Sequence, residues 1–337
     1  MNITEIAFSC YPVTDMERAR SFYEGVLGLK VTMDHELDGG HWVEFDIGAG
    51  TLAIGKAPGW NPSKEGCSVS LEVDDFDAAI AWPADGPGRW VGTIPAEWGQ
   101  GRSAFGGVTT AAATRAMSSL VDSSRALRSL SASLVGPIIL GEPVVLDASV
   151  LRAGRSLTHT EARLTQGGQV KAVVLAAYGG PRPSAITVPL ARCPADLPEP
   201  ADCFRFPYLP GVTPEFTRQM EMRWTHGAIP FTGNDESVIG LWLRHLTPAT
   251  GVDALVGLLD TPPSPVLQMM KAPAPASTVR WAAHILSAPE IGPDDYCWLH
   301  STARAAGDGY ATMLASLYGP DGALLAWLEQ LVVVFDG

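Results

Sequence analysis

Two stretches of the chain decide its fold: LRSLSASLVGP at 127–137 and VRWAAHILSAP at 279–289. They lie 152 residues apart, and each is a strand-length run ended by a proline. The correspondence continues outward. ASVLRAGRSLTHTEARL (148–164) matches STARAAGDGYATMLASL (301–317) after a slip of one residue. TQGGQVKAVVLAAY (165–178) then matches YGPDGALLAWLEQL (318–331). Identity is low, but the order of strand, proline break, strand, turn and strand is kept. Such kept order marks a duplicated unit.

A helix pattern of small residues spans about 103–121, and a second helix pattern lies near 252–260. Long strands follow each, at roughly 127–178 and 277–335, with further strands around 219–224 and 237–245. A small-residue helix wrapped by an antiparallel meander is the hotdog architecture. Two copies make a double hotdog, and the expected class is α+β. Between the copies, 181–214 holds nine prolines. Proline removes donors from helix and sheet ladders, so this stretch reads as a linker laid across a surface. A second joint, AWPADGPGRW (81–90), sets off an N-terminal block. The expected domains are 1–80, a first hotdog at 82–180, the proline-rich linker at 181–214, and a second hotdog at 215–337.

At 337 residues the chain is too long for one ordinary core. It is 46% hydrophobic and 18% charged, the composition of a folded soluble protein. No uninterrupted apolar run reaches membrane-spanning length, and the first residues do not read as a secretory signal. Five scattered cysteines form no CxxC or zinc-like spacing, so they read as reduced thiols of a cytoplasmic protein. A net charge of -13 argues against nucleic-acid binding.

Residues 82–337 resemble acyl-CoA thioesterases of the double-hotdog, thioesterase II type. GRSAFGGVTTAAATRAM (101–117) resembles the family's GR-x-FGG opening of the first hotdog helix. LLDTPPSPVL (258–267) resembles the segment with its catalytic aspartate, and ASTVRWAAHILSAP (276–289) its catalytic threonine strand. GALLAWLEQLVVVF (322–335) resembles the closing strand with its catalytic glutamine. The resemblance implies hydrolysis of acyl-CoA thioesters by an activated water, with no cofactor and no metal. It implies Asp260, Thr278 and Gln330 as catalytic residues and Gly106 and Gly107 beside the substrate. It also implies acyl-CoA as the partner, no nucleic acid or membrane, and assembly into a homo-oligomer through the outer sheet faces. The phosphates of CoA would then need a local basic patch on an acidic chain.

The residue types suit that chemistry. A carboxylate can orient or deprotonate a water, and a hydroxyl and an amide can hold it in line. Helix-terminal N–H groups can stabilise the oxyanion, and a Gly pair allows close backbone approach. At an offset of 153, Asp260 falls opposite Gly107 and Gln330 opposite Ala177, which implies one active site per double hotdog.

Plainer roles are open to each. Asp260 precedes Thr-Pro-Pro, where an Asp is often a cap or turn residue. Thr278 begins a strand, where Thr is common by propensity. Gln330 lies in the apolar run LLAWLEQLVVVF and needs hydrogen-bond partners if buried. His226, His245, His284 and His300 read as structural, and Met269, Met270 and Trp298 as core or acyl-pocket lining. No G-x-S-x-G elbow, H-E-x-x-H or nucleotide fingerprint is present.

Residues 1–80 resemble one βαβββ module of the glyoxalase/bleomycin-resistance/dioxygenase superfamily, the vicinal oxygen chelate proteins. CYPVTDMERARSFYEGVLGLKV (10–31) and LEVDDFDAAI (71–80) carry the likeness. Asp15 is the expected N-cap of the helix and Gly28 its stop. The family's metal positions fall on Phe8 and Ser68, which bind divalent metals poorly. One module leaves a half-cup that needs a partner.

Two other functions are open at this level. One is a degenerate hotdog that binds an acyl or other hydrophobic ligand without turnover, for which Val108 speaks: many thioesterase II proteins carry a polar residue there. The other is a glyoxalase-superfamily enzyme with a hotdog partner domain.

Overall fold

The structure is a computed structural model that describes residues 9–37, 39–48, 50–59, 82–246, 249, 251–292 and 294–335. It is α+β, and the chain divides into two compact units, residues 1–72 and 73–337.

In the first unit, β1 (Ser9–Pro12) leads into helix α1 (Met16–Arg20), which continues as a wider-wound turn over Ser21–Val26. Asp15 caps α1: its carboxylate accepts from the Arg18 N–H at 3.0 Å. Gly28 ends the segment at φ 67°, a conformation that favours glycine. Strands β2 (Val31–Leu37), β3 (Gly40–Ile47) and β4 (Gly50–Lys56) complete a four-stranded sheet of order β1-β4-β3-β2. Met16, Val43, Phe45, Leu52 and Ile54 form its core. This is the expected βαβββ order. Phe8, Ser68 and the 71–80 segment lie outside the described residues, so the metal positions are not seen.

Among the described residues, the second unit is built on one thirteen-stranded sheet, a separate two-stranded pair and three α-helices. A hairpin of β5 (Ala84–Gly86) and β6 (Arg89–Gly92) is followed by the short pair β7 (Gly99–Gln100) and β8 (Ser103–Ala104). Helix α2 (Gly106–Ser119) comes next, then β9 (Ala126–Leu134), β10 (Val144–Ala153), β11 (Leu157–Gln166) and β12 (Gln169–Gly179). Within the proline-rich stretch, β13 (Phe204–Arg205) joins the sheet edge, and Arg192 bridges to Ala323. The second copy holds β14 (Met220–His226), β15 (Val238–His245), α3 (Gly251–Leu259), the short helix α4 (Val266–Met269), β16 (Ala276–Ile285), β17 (Cys297–Gly307), β18 (Tyr310–Tyr318) and β19 (Leu324–Val334).

The strand order is β13-β14-β15-β17-β18-β19-β16-β9-β12-β11-β10-β6-β5. Read outward from the central β16·β9 pair, the two halves run in the same sequence, as a duplication requires. The offsets in the sequence reappear as register. Ser129 pairs with Ala177 and Trp281 with Gln330, 152 and 153 residues further on. A one-residue bulge lies at Leu151 in the β10·β11 pair and at Arg304, 153 residues later, in β17·β18.

Small residues let the sheet close round α2, which is buried along most of its length. Its threonines bring no unmet hydroxyls: Thr109, Thr110 and Thr114 each donate to the carbonyl four residues back, at 3.0, 2.8 and 2.8 Å. Helix α3 packs against it. Asp253, in the first turn of α3, pairs with Arg115 of α2 at 2.5 Å, an ion pair with little solvent around it.

Candidate active site

Helix α3 ends at Leu259, and Pro262 and Pro263 prevent it from continuing. Asp260 is therefore thrown off the helix end as a turn residue, while Thr261 closes the last turn with its hydroxyl on the Gly257 carbonyl at 3.0 Å. Helix α2 begins with Phe105 as its cap residue and makes no side-chain capping bond there. The first N–H groups of a helix need an acceptor. The carboxylate of Asp260 lies against this helix start, where the Gly107 N–H favours its charged form.

This contact corrects one expectation. Asp260 and Gly107 are not equivalent positions in the two copies, because Gly107 is the second residue of α2 and Asp260 follows the last residue of α3. They touch instead. The counterpart of Asp260 is Leu120, the residue after α2, and Thr278 and Gln330 correspond to Ala126 and Ala177. The polar set thus occurs once, and its mirror position is apolar.

The two glycines are needed for close approach. A Cβ on Gly106 would lie 2.5 Å from Asp260 Oδ2 and 2.9 Å from Leu134 Cδ1. A Cβ on Gly107 would lie 2.4 Å from the ring of Phe105 and 3.0 Å from the Gly257 carbonyl oxygen. That ring folds under Gly107 and stacks on Phe216 with centroids 4.0 Å apart.

Across from this corner, β16 and β19 present Thr278 and Gln330. Gln330 is 7% exposed and shares the inward face of β19 with Leu328, Val332 and Val334. Its amide needs partners there, and it has them: Nε2 donates to Asp260 Oδ1 at 3.0 Å and to Thr278 Oγ1 at 2.7 Å. One amide thus ties together residues from a helix end and two strands. The carboxyl group of Asp260 is buried, although the residue as a whole keeps some exposure. Burial pushes its pKa up from the ordinary carboxylate range to about 7, against the pull of the bonds from Gln330 and Gly107. A carboxylate poised near neutrality, a hydroxyl, an amide and a helix N-terminus can together hold, deprotonate and direct a water.

The structure thus brings Asp260, Thr278, Gln330, Gly106 and Gly107 to one place. Chain periodicity did not single out Leu134 or Trp281, which also face this corner. The signal for Trp281 was its offset from Ser129, which sets it opposite Gln330. The four histidines lie elsewhere: His245 is buried with Nε2 3.0 Å from the Ala254 carbonyl, and His284 stacks on Trp327. His300 stacks on Trp298, whose indole donates to Thr225. Met270 packs with Val266, Met313 and Val332 in a small apolar cluster beside Gln330.

Residues 94–179 match the acyl-CoA thioesterase N-terminal domain family, and residues 194–334 match the acyl-CoA thioesterase C-terminal domain family. The chain carries both domains of the acyl-CoA thioesterase family. Residues 3–105 match the glyoxalase/bleomycin resistance protein/dioxygenase superfamily, so a glyoxalase-like domain precedes the thioesterase pair. Among solved structures, a hot dog protein from Alicyclobacillus acidocaldarius is 26% identical. It matches with a TM-score of 0.67 over 78% of this chain and 98% of its own. An acyl-CoA thioesterase II from Mycobacterium marinum is 17% identical, with a TM-score of 0.60 over 77% of this chain and 96% of its own, a likeness of fold. No curated protein matches the sequence. Among the described residues of this thioesterase-family chain, no helix is long and apolar enough to cross a membrane.

Proposed function

We propose that the double hotdog, placed at 82–180 and 215–337 with 181–214 between, hydrolyses acyl-CoA thioesters in the cytoplasm and needs no cofactor. The observation that carries this reading is the Gln330 amide, which holds Asp260 and Thr278 together beside the start of α2.

In this mechanism a water sits among Asp260, Thr278 and Gln330. Asp260 takes a proton from it as the water oxygen bonds to the thioester carbon. The carbonyl electrons move onto oxygen, where the N-terminus of α2 stabilises the charge. The oxyanion re-forms the carbonyl, the C–S bond breaks, and the sulfur takes the proton from Asp260. Acid and thiol leave, and the carboxylate is restored.

The test is turnover on a panel of acyl-CoAs of increasing chain length, with a thiol reagent reporting free CoA. Hydrolysis of at least one chain length, abolished in Asp260→Asn, is expected. Tight acyl-CoA binding with no turnover at any length would instead make this a ligand-binding hotdog.

A further inference from the structure

The strand register places a further polar side chain beside Gln330. Trp281 is paired with Gln330 across β16·β19, so the two side chains stand on the same inward face. On its other side Trp281 faces Ala132 of β9, whose small side chain leaves the indole room. Trp281 is 1% exposed, and its Nε1–H has no acceptor among the described residues. A buried donor left unpaired forfeits the hydrogen bond it made to water and calls for an explanation. Trp298 shows the usual arrangement in this sheet, its Nε1 donating to Thr225 Oγ1 at 3.0 Å.

Resting on the thioesterase reading, we infer that the Trp281 indole N–H is a catalytic hydrogen-bond donor to the thioester carbonyl oxygen. Its chemistry decides between the two oxygens of the reaction. An indole N–H can only donate. Donation to the attacking water would draw on the lone pair that must reach carbon. Donation to the carbonyl oxygen strengthens as negative charge builds there, when the C–O bond forms and the π electrons shift. Trp281 would thus approach the oxyanion from the sheet while α2 approaches it from the helix side. The unmet bond in the free protein is then a donor kept ready for the transition state.

Trp281→Phe removes the N–H and keeps an aromatic ring. With the acyl-CoA that the unsubstituted chain hydrolyses best, kcat should fall on the order of 10²-fold, with KM changed less than about threefold. Replacing Trp281 by benzothienylalanine, in which sulfur stands where the N–H was, keeps the full bicyclic shape and should give the same loss. It also serves if the Phe variant does not fold. A folded variant of either kind with kcat within about threefold of the unsubstituted chain overturns the assignment while leaving the thioesterase reading intact. Absence of turnover in the unsubstituted chain overturns both.

Discussion

Gly106 lets the carboxylate of Asp260 close on the start of α2, where a Cβ would stand 2.5 Å from Oδ2, so the residue that ends one helix lies against the start of the other. The contact serves packing and chemistry at once. It packs the end of α3 on α2, and it places a carboxylate where the N–H groups of α2, left without a side-chain cap, converge. Function and stability then pull on Asp260 in opposite directions.

Asp260→Asn should show both. Turnover should fall by about 10³-fold or more, since the amide cannot accept the proton. Stability should move the other way. The folded pKa of about 7 lies above the unfolded value of 3.8, so the native state holds more protons between them. Stability of the unsubstituted chain therefore declines as pH rises from about 4 to 7 and levels off above, by at most about 4 kcal/mol. The variant lacks this penalty. Thermal melts should show it more stable at pH 8, with the gain shrinking toward pH 4. An equal offset at both pH values would contradict the raised pKa.

The rate profile should carry the same signature. Asp260 works as a base only when ionised, so kcat should rise with pH through about 7. Gln330 stabilises the ionised form. Gln330→Leu should shift the midpoint upward as well as lower the plateau. A lowered plateau with an unmoved midpoint would separate Gln330 from the carboxylate.

Gly106→Ala tests the close approach. The added methyl would meet Asp260 Oδ2 at 2.5 Å and must displace it or the start of α2. Turnover should drop at least about 10²-fold, because small misplacements of a reacting group are costly. Circular dichroism and melting measure whether the fold survives. Full activity in the alanine variant would show that the corner has slack.

Glu221 offers a control away from the site. Its buried carboxylate accepts from Arg223 and Arg244, each at 2.7 Å, with Arg205 at 3.4 Å. Desolvation pushes its pKa up, but the bonds from Arg244 and Arg223 outweigh that and leave it lowered. Its stabilisation is therefore present above the ordinary carboxylate pKa and lost as pH falls below about 4. Glu221→Gln should cost about 3 kcal/mol in denaturant unfolding at neutral pH, by leaving the arginines without a counter-charge. The kcat of the remaining folded enzyme should be unchanged.

The strand pattern was legible because it is written in local terms. Residues 127–137 and 279–289 carry the same proline-ended strand, and their offset became the central β16·β9 pair and matching rungs either side. Asp15 and Gly28 were legible for the same reason, since a cap and a left-handed stop are short-range requirements. The Asp260–Gly107 relation was misread as equivalence, because a linear offset cannot express that the two helices pack side by side in opposite directions, the end of α3 lying at the start of α2.

The sequence by itself determined the duplication and the α+β class, while Asp260, Thr278 and Gln330 were singled out by the family resemblance, since an Asp near a helix end or a Thr starting a strand has a plainer role on its own. Only the tertiary structure decided that Gln330 reaches Asp260 and Thr278, 70 and 52 residues away. It also gave Asp260 its raised pKa and set Trp281 opposite Gln330. The physical reason is that hydrogen bonding and desolvation depend on which atoms are within a few ångströms. For residues this far apart along the chain, strand register and helix packing set those neighbours.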